Sequence, residues 1–403
     1  MSRTTTAWYL VASALNAVLM LLLVFVAMRL PYAHGDEKAI VEKLSIVRRV
    51  FLGLEEKPSK DRFLFLDTQY DLEFIDALDT DGFKLGQQTI TNRSQLGRLV
   101  QVLNAYPDST RFVLLDLFLL EEAGPQDSLL RAELPRAKNL VGTRLPGALD
   151  RRKPFIDYPT APAYYEDIEG DFYKYGLIGP DNESSFALIF YKNLSGNGFA
   201  HSPITITVND QHYFKTFVPD FSIRAYDVLF APYEKRYWYE TLGNFVAQPD
   251  SALAAQAKGR IIVVGNFGPS DTHNTIYGDT PGVLILLNTV LALEAGEGGW
   301  GWIYLLFMFG CFMAISWQVL IPTEPTEKLE AWLAKRTRWY DRLSGIVRAS
   351  LLELVTYPLQ LVLVSVVSFV VFGVAVTILY LMYLLFLERQ VIVWSARYKA
   401  TRS

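Results

Sequence analysis

Asp67 and Asp116 each close a short apolar run, Arg62-Phe-Leu-Phe-Leu-Asp67 and Arg111-Phe-Val-Leu-Leu-Asp116. Asn266 follows a third such run, Gly259-Arg-Ile-Ile-Val-Val-Gly265. Near-continuous apolar, β-branched or aromatic runs of this length read as strands buried on both faces. In open α/β sheets, ligands bind outside the carboxyl ends of the strands. If the three strands are neighbours, Asp67, Asp116, Asn266, Asp271 and His273 line one crevice, suited to a cation or to a polyhydroxylated or amine ligand. Asp271 stands two residues before His273, where a carboxylate can orient an imidazole. The competing reading is that each aspartate caps the helix or turn that follows it.

Other chemistries find no support. No G-x-S-x-G elbow surrounds a serine, so a hydrolase triad is not expected. His34, His201 and His212 are scattered without H-x-x-x-H spacing. The single cysteine, Cys311, excludes an intramolecular disulfide and a cysteine-clustered metal site. Gly265-Asn-Phe-Gly268 lacks the Lys-Ser/Thr of a phosphate loop. The expectation is a chain that is not an enzyme, with no catalytic residue, no metal and no cofactor. A net charge of -4 gives no basic footprint, so nucleic acid is not an expected partner.

The elements that must position these residues alternate between strand and helix patterns. Asp36–Leu54 has helical apolar spacing at Ile40, Val41, Leu44, Val47, Val50, Phe51 and Leu54, and Pro58 ends it. Ser94–Tyr106 is an amphipathic helix, Asp127–Leu134 a short one, and Pro281–Glu294 a third, with Pro281 in its first turn and Gly296 beyond its end. Ala137–Gly142, Phe186–Tyr191 and Ile204–Val208 read as strands. Ser222–Leu229 reads as helical, and Arg151–Asp171 and Asn266–Thr280 read as loops. Together these predict an α/β fold, a three-layer sandwich with a largely parallel or mixed sheet.

Around this block the chain is apolar enough to meet a membrane. Ala7 to Met28 carries no charge, which suits a helix crossing a hydrocarbon core of about 30 Å. It reads as an uncleaved anchor, because the following Arg29-Leu30-Pro31-Tyr32 is a poor signal-peptide cleavage site. Trp300–Ile321 is a second span, with Trp300, Trp302 and Tyr304 at one end and Trp317 near the other. Leu354 to Leu387 is uncharged. As one helix it would reach about 50 Å, so two short spans meeting near Phe372-Gly373 fit better than one span running into a soluble helix.

Lysine and arginine set the orientation. Lys328, Lys335, Arg336, Arg338, Arg342 and Arg348 crowd residues 323–350, and Arg389, Arg397, Lys399 and Arg402 the tail. Both belong on the cytoplasmic side. The predicted order is an N-terminal anchor over 1–30, an extracytoplasmic α/β domain over 31–299, a span over 300–321, a basic cytoplasmic loop over 322–350, a transmembrane hairpin over 351–387 and a cytoplasmic tail over 388–403. In the basic loop, Lys328–Arg348 with Trp332 and Trp339 reads as an interfacial amphipathic helix or a partner-docking one. Glu353 and Gln360 fall at a membrane entrance, which argues against an ion pathway.

The block over 60–297 resembles the second type of cyclase/histidine-kinase-associated sensory extracellular (CHASE) domain. The matching pieces are Phe63-Leu-Phe-Leu-Asp67, Asn92-Arg93 before a helix, Val113-Leu-Leu-Asp116-Leu-Phe118, Asp127-Ser-Leu-Leu130 and Val218-Pro-Asp-Phe-Ser-Ile223. Last comes Gly259–Gly265 with Asp271-Thr-His273, Thr280-Pro-Gly-Val283 and Asn288. This final stretch is the most specific. Arg93, inside a matching piece, joins the candidate ligand-binding residues. The resemblance implies an extracytoplasmic sensing or recognition fold and supplies no ligand. Such domains usually precede a cytoplasmic kinase or cyclase, and no recognisable output domain is present here.

The expected function follows. The chain reads as a multi-pass sensory or recognition subunit of a bacterial inner (plasma) membrane, with its large domain facing the periplasm or exterior. It would bind a ligand or partner there and relay or anchor through its spans to another protein. The expected partners are the lipid bilayer and a protein partner or homo-oligomer, held through the spans and the Asp36–Leu54 helix. The alternative is a structural or scaffolding subunit of a multiprotein envelope assembly.

Overall fold

The computed structural model describes residues 3–28, 35–52, 57–78, 83–122, 124–146, 154–168, 171–179, 182–202, 205–320 and 345–400. They form two compact units. One comprises Met1–Leu52, Gln211–Phe214 and Gly298–Ser403, the other Gly53–Asp210 and Lys215–Glu297.

In chain order the elements are α1 (Arg3–Ala27), α2 (Gly35–Leu52), β1 (Phe63–Asp67), β2 (Leu72–Leu78), β3 (Lys84–Thr91), α3 (Arg93–Ala105), β4 (Thr110–Leu115), α4 (Ser128–Glu133), β5 (Leu140–Arg144), β6 (Thr160–Pro162), β7 (Tyr165–Ile168) and β8 (Asp171–Gly176). Then come α5 (Phe186–Ser195), β9 (Phe199–His201), β10 (Ile206–Val208), β11 (Gln211–Tyr213), β12 (Thr216–Phe217), β13 (Trp238–Thr241), α6 (Leu242–Val246), α7 (Asp250–Ala257), β14 (Arg260–Gly265), β15 (Thr272–Thr275), β16 (Gly278–Pro281) and α8 (Gly282–Ala295). The last helices are α9 (Trp302–Leu320), α10 (Gly345–Val367) and α11 (Ile378–Ala400).

The second unit is built on a six-stranded sheet of order β13-β1-β14-β4-β5-β6, and every neighbouring pair is parallel. Helices cover both faces. On one face Leu64, Leu66, Val113, Leu115, Ile262 and Val264 pack with Leu96, Leu99 and Val100 of α3, Leu130 of α4, Leu242 and Phe245 of α6 and Leu253 of α7. On the other face α5 lies against β4 and β5 and α8 against β14, with Phe112 and Phe190 edge to face at 4.8 Å. That two-sided burial is why the strands read as continuous apolar runs rather than alternating ones. The Asn92 side chain caps α3 by accepting from the Gln95 N–H at 3.0 Å. Gly296, in the left-handed region at φ 70°, ends α8.

Several local expectations are overturned. Phe186–Tyr191 is not a strand but the first part of helix α5. Its apolar run is buried on most sides, so it carries no period to separate helix from strand. Ser185 before it and Gly196, left-handed at φ 71°, after it are the end signals. Asn266–Thr280 is not a loop throughout, since β15 and β16 pair as an antiparallel hairpin from Thr272↔Pro281 to Thr275↔Gly278. β6 and β7 interrupt the proposed loop over 151–171. Of Ser222–Leu229, only the end joins a helical turn, a single π turn over Tyr226–Phe230. The Ala137–Gly142 strand begins later, at Leu140.

The first unit is helical. Three of its helices hold apolar stretches long enough to cross a membrane: Thr6–Ala27, Trp302–Leu320 and Val355–Phe372. Ile378–Glu388 is a shorter one. α1 packs along α9, and α10 packs against α11. After α10 a π turn, Ser368–Phe372, ends at Gly373 in the left-handed region. Val374, Ala375, Val376 and Thr377 then run buried without helix. Their backbone is served by side chains: Ser368 Oγ donates to the Val374 carbonyl at 2.6 Å, and Ser365 Oγ to that of Val376 at 2.9 Å. Irregular backbone inside an apolar bundle needs such partners. Val376 lies back beside Ser365, so the chain reverses at this break.

α2 belongs to the same unit. Among its described side chains Val41, Ser45 and Arg48 are buried, with Ile40, Leu44 and Val47 half-buried, and it packs on α10, the π turn and α11. Much of the apolar face of the Asp36–Leu54 helix is therefore covered by its own chain. Leu54, the Phe51 side chain and residues 321–344 of the basic loop lie outside the described residues.

Candidate functional site

β1, β14 and β4 are adjacent, and their carboxyl ends are level. Asp67 pairs with Gly265 in the register of β1 and β14. Val264 pairs with Leu115 of β4, and the Asp116 N–H donates to the Val264 carbonyl at 2.8 Å. Asp67, Asp116 and Asn266 thus emerge at one sheet edge, the edge at which parallel α/β sheets bind ligands.

Their environments divide them. Asp67 is fully buried and its carboxylate is saturated. Oδ1 accepts from the backbone N–H groups of Gln69 at 2.9 Å and Phe267 at 3.0 Å, and Oδ2 accepts from the Tyr239 hydroxyl at 2.6 Å. It ties the ends of β1, β14 and β13 together. Asn266 closes its own turn, with Oδ1 accepting from the Gly268 N–H at 2.7 Å and Nδ2 donating to Ser270 at 2.9 Å. Arg93 lies buried at the start of α3, its Nε 3.9 Å from Asp127 and its guanidinium over the Phe155 ring. Burial lowers its proton affinity, against the fields of Asp127, Glu73 and Glu121. These three have structural employment.

Asp116, Asp271 and His273 differ. Asp116 Oδ1 accepts from the Thr143 hydroxyl at 2.8 Å. Its Oδ2 is buried and has no hydrogen-bond partner among the described residues. Burial pushes the Asp116 carboxyl up to about 6, although the Thr143 hydrogen bond pulls the other way. Asp271 is pushed up to about 8, first by burial and then by the negative field of Asp116. A Cβ on Gly282 would lie 3.2 Å from both Asp271 oxygens, so this carboxyl sits at the first turn of α8. A Cβ on Gly265 would come 2.9 Å from Val283 and 3.3 Å from Asp116. Both glycines permit this close approach of strand end, helix start and acid pair. His273 Nε2 stands 3.9 Å from Asp271 Oδ1.

Two contributors went unread in the sequence. Thr143 lies one residue past the expected end of its strand. Tyr158 comes from the stretch taken as loop. Its hydroxyl is buried without a partner among the described residues, burial raises its proton affinity, and it feels both Arg93 and Asp116. Its ring occupies the space beside Gly142, where a Cβ would fall 2.6 Å from the hydroxyl. A cleft of about 480 Å³ lies at the opposite, amino-terminal edge of the strands, lined by Gln101, Asn104, Thr110, Glu133, Lys138 and others. It holds none of the candidate residues. Among the described residues no three His, Cys, Asp or Glu are placed to hold a metal ion.

Chemically, the arrangement is a pair of carboxyls that resist sharing two negative charges, beside an imidazole and at the positive end of a helix. A ligand presenting hydrogen-bond donors or a positive charge would relieve that repulsion. No known family model, curated protein or solved structure matches this chain.

Proposed function

We propose that this chain is an integral membrane sensory or recognition subunit, of the type-two CHASE kind its sequence resembles. Its α/β domain would face the outside of a bacterial inner membrane and receive an amine or polyhydroxylated ligand at Asp116, Asp271 and His273. The observation that supports this most is the buried, unpartnered Asp116 Oδ2 beside Asp271, since a buried polar atom without a partner costs about 1–3 kcal/mol unless something fills the gap. The apolar helices support the membrane placement, and the lysines and arginines of 323–350 and of the tail support the orientation. Any output passes to another protein.

Two experiments test this. The full chain in mild detergent is screened by thermal shift against a panel of amines and polyols. A stabilising ligand is expected, and its effect should vanish in Asp116→Asn and in Asp271→Asn. A shift that survives both variants removes the site. Cysteine labelling in intact cells should reach Asn182→Cys and spare Ser403→Cys, and the reverse pattern overturns the orientation.

A scaffolding role is favoured by one different observation. β2 and β3 form a separate two-stranded sheet, and Leu72, Phe74 and Leu85 on it, with Tyr70 and Phe83 beside it, are exposed. Apolar side chains gathered this way mark interaction surfaces. Phe74→Asp with Leu85→Asp should then release a co-purifying envelope protein while leaving any ligand-induced thermal shift intact.

A further inference from the structure

Inside the helical unit, three polar side chains from three helices meet. Asn16 of α1 donates from Nδ2 to Ser316 Oγ of α9 at 3.0 Å and to Glu388 Oε2 of α11 at 2.7 Å. Ser13 and Ser316 are fully buried. Asn16 lies near the middle of the apolar stretch Thr6–Ala27, about 15 Å from either end at the helical rise. On α9 and α11 the cluster falls toward the end of the apolar stretch, since Ser316 stands four residues before Leu320 and Glu388 closes Ile378–Glu388. A groove of about 370 Å³, lined by Ala12, Asn16, Leu320, Leu387, Glu388 and Val391, opens beside it. Among the described residues, the polar group facing Glu388 is Asn16 from α1, itself bonded to Ser316 of α9. Among the described residues no cation pairs with it.

An ionisable side chain held among apolar helices is expensive and needs a reason. Asn16 offers hydrogen bonding to either protonation form. Its Nδ2 supports the carboxylate. Its Oδ1 is buried with no donor among the described residues, and lies one carbon away from the atom that meets Glu388, an acceptor suited to a carboxylic acid. With no cation beside it among the described residues, the neutral form is the one that apolar surroundings tolerate.

We infer that Glu388 is a reversible proton-binding site within the helical bundle, reached through the groove beside α1 and α11. This rests on the membrane-spanning reading of these helices.

The probe is lipid-soluble dicyclohexylcarbodiimide. The protonated carboxyl gives its proton to one carbodiimide nitrogen while its oxygen bonds to the central carbon. The O-acylisourea then rearranges to a stable N-acylurea, adding one reagent mass with no leaving group and no redox change. The full chain is labelled in its membranes between about pH 5 and pH 9, and the modified residue is mapped by mass spectrometry. Labelling at Glu388 is expected, falling about tenfold per pH unit above its midpoint. It should be lost in Glu388→Gln. In Asn16→Ala, which removes the donor favouring the carboxylate, the midpoint should move up by about one unit. Carbonate extraction keeps the premise separate. A chain released by carbonate is not membrane-inserted, and the reading beneath the inference fails. A chain that stays inserted, yet shows no label at Glu388, pH-independent label, or an unmoved midpoint in Asn16→Ala, overturns the proton site itself.

Discussion

The two units bury polar groups by opposite means. In the α/β unit the buried acid Asp67 is satisfied largely by backbone, through the N–H groups of Gln69 and Phe267. Strands end there, and chain ends and turns have backbone donors to spare. In the helical unit the backbone donors are consumed within helices. Polar side chains therefore find one another: Asn16 with Ser316 and Glu388, and Gln360 with Gln318 at 2.6 Å. Where a helix breaks, at Gly373, side chains serve backbone. A buried carboxyl at a strand end can be a built-in fastener, whereas one between helices must rely on a few long-range partners. Asp116 is informative because it sits at a strand end and still lacks what Asp67 has.

The comparison is broken most severely at Asp67. Asp67→Ala strands two backbone donors and the Tyr239 hydroxyl at the sheet edge, and should cost roughly 3–5 kcal/mol of stability. Asp67→Asn keeps one acceptor oxygen for the backbone donors and should cost clearly less. Chemical denaturation of the full chain, followed by a probe in the α/β unit, measures both. If Asp67→Ala is as stable as the parent chain, the fastener role is wrong.

Asp116 should behave in the opposite sense. Its carboxyl and that of Asp271 bind protons more tightly in the folded than in the unfolded chain. The stabilisation this gives is complete below the unfolded value near 4, and is lost as pH rises through about 6 for Asp116 and about 8 for Asp271. Asp116→Asn keeps an acceptor for Thr143 and removes the charge. It should flatten the decline between pH 4 and 8 and stabilise the α/β unit at pH 8 by on the order of 2 kcal/mol. Thermal melts across that range decide it, and a variant less stable than the parent at pH 8 reverses the assignment.

Much of the sheet was legible because Phe63–Asp67, Arg111–Asp116 and Gly259–Gly265 are buried on both faces, a condition that leaves few residue types possible. The same condition hid α5, whose apolar run could not declare a period. The β15–β16 hairpin was hidden for the reverse reason: Thr272–Thr275 and Gly278–Pro281 are held by backbone pairing, with no apolar alternation to read. Asp116 could be found because it ends a strand. Thr143 and Tyr158 could not, since parallel pairing and a long excursion bring them there. Asn16 and Glu388 are 372 positions apart, and no local pattern joins two polar residues on separate apolar helices.

The smallest expected effect lies at the helical break. Gly373 holds φ 73°, and an added Cβ would lie 2.9 Å from Arg48 Nη2 and 3.1 Å from its Cζ. The Arg48 guanidinium, 5.9 Å from the centre of the Phe369 ring, thus lies against the carboxyl end of the π turn, where a cation suits the helix dipole. Gly373→Ala meets two penalties, a left-handed backbone costing about 1 kcal/mol and the crowding of Arg48. Arg48→Ala removes the crowding but also the charge at the helix end. If the guanidinium is packed as described, the double variant Arg48→Ala with Gly373→Ala should lose less than the sum of the two single losses, because the clash exists only when both side chains are present. Gly373→Asn, which tolerates the left-handed region better, should fall between the parent and Gly373→Ala only if backbone strain outweighs the clash. Thermal melts in detergent separate these cases. Strict additivity would mean that Arg48 does not pack against this break, and that α2 meets the π turn through its apolar side chains alone.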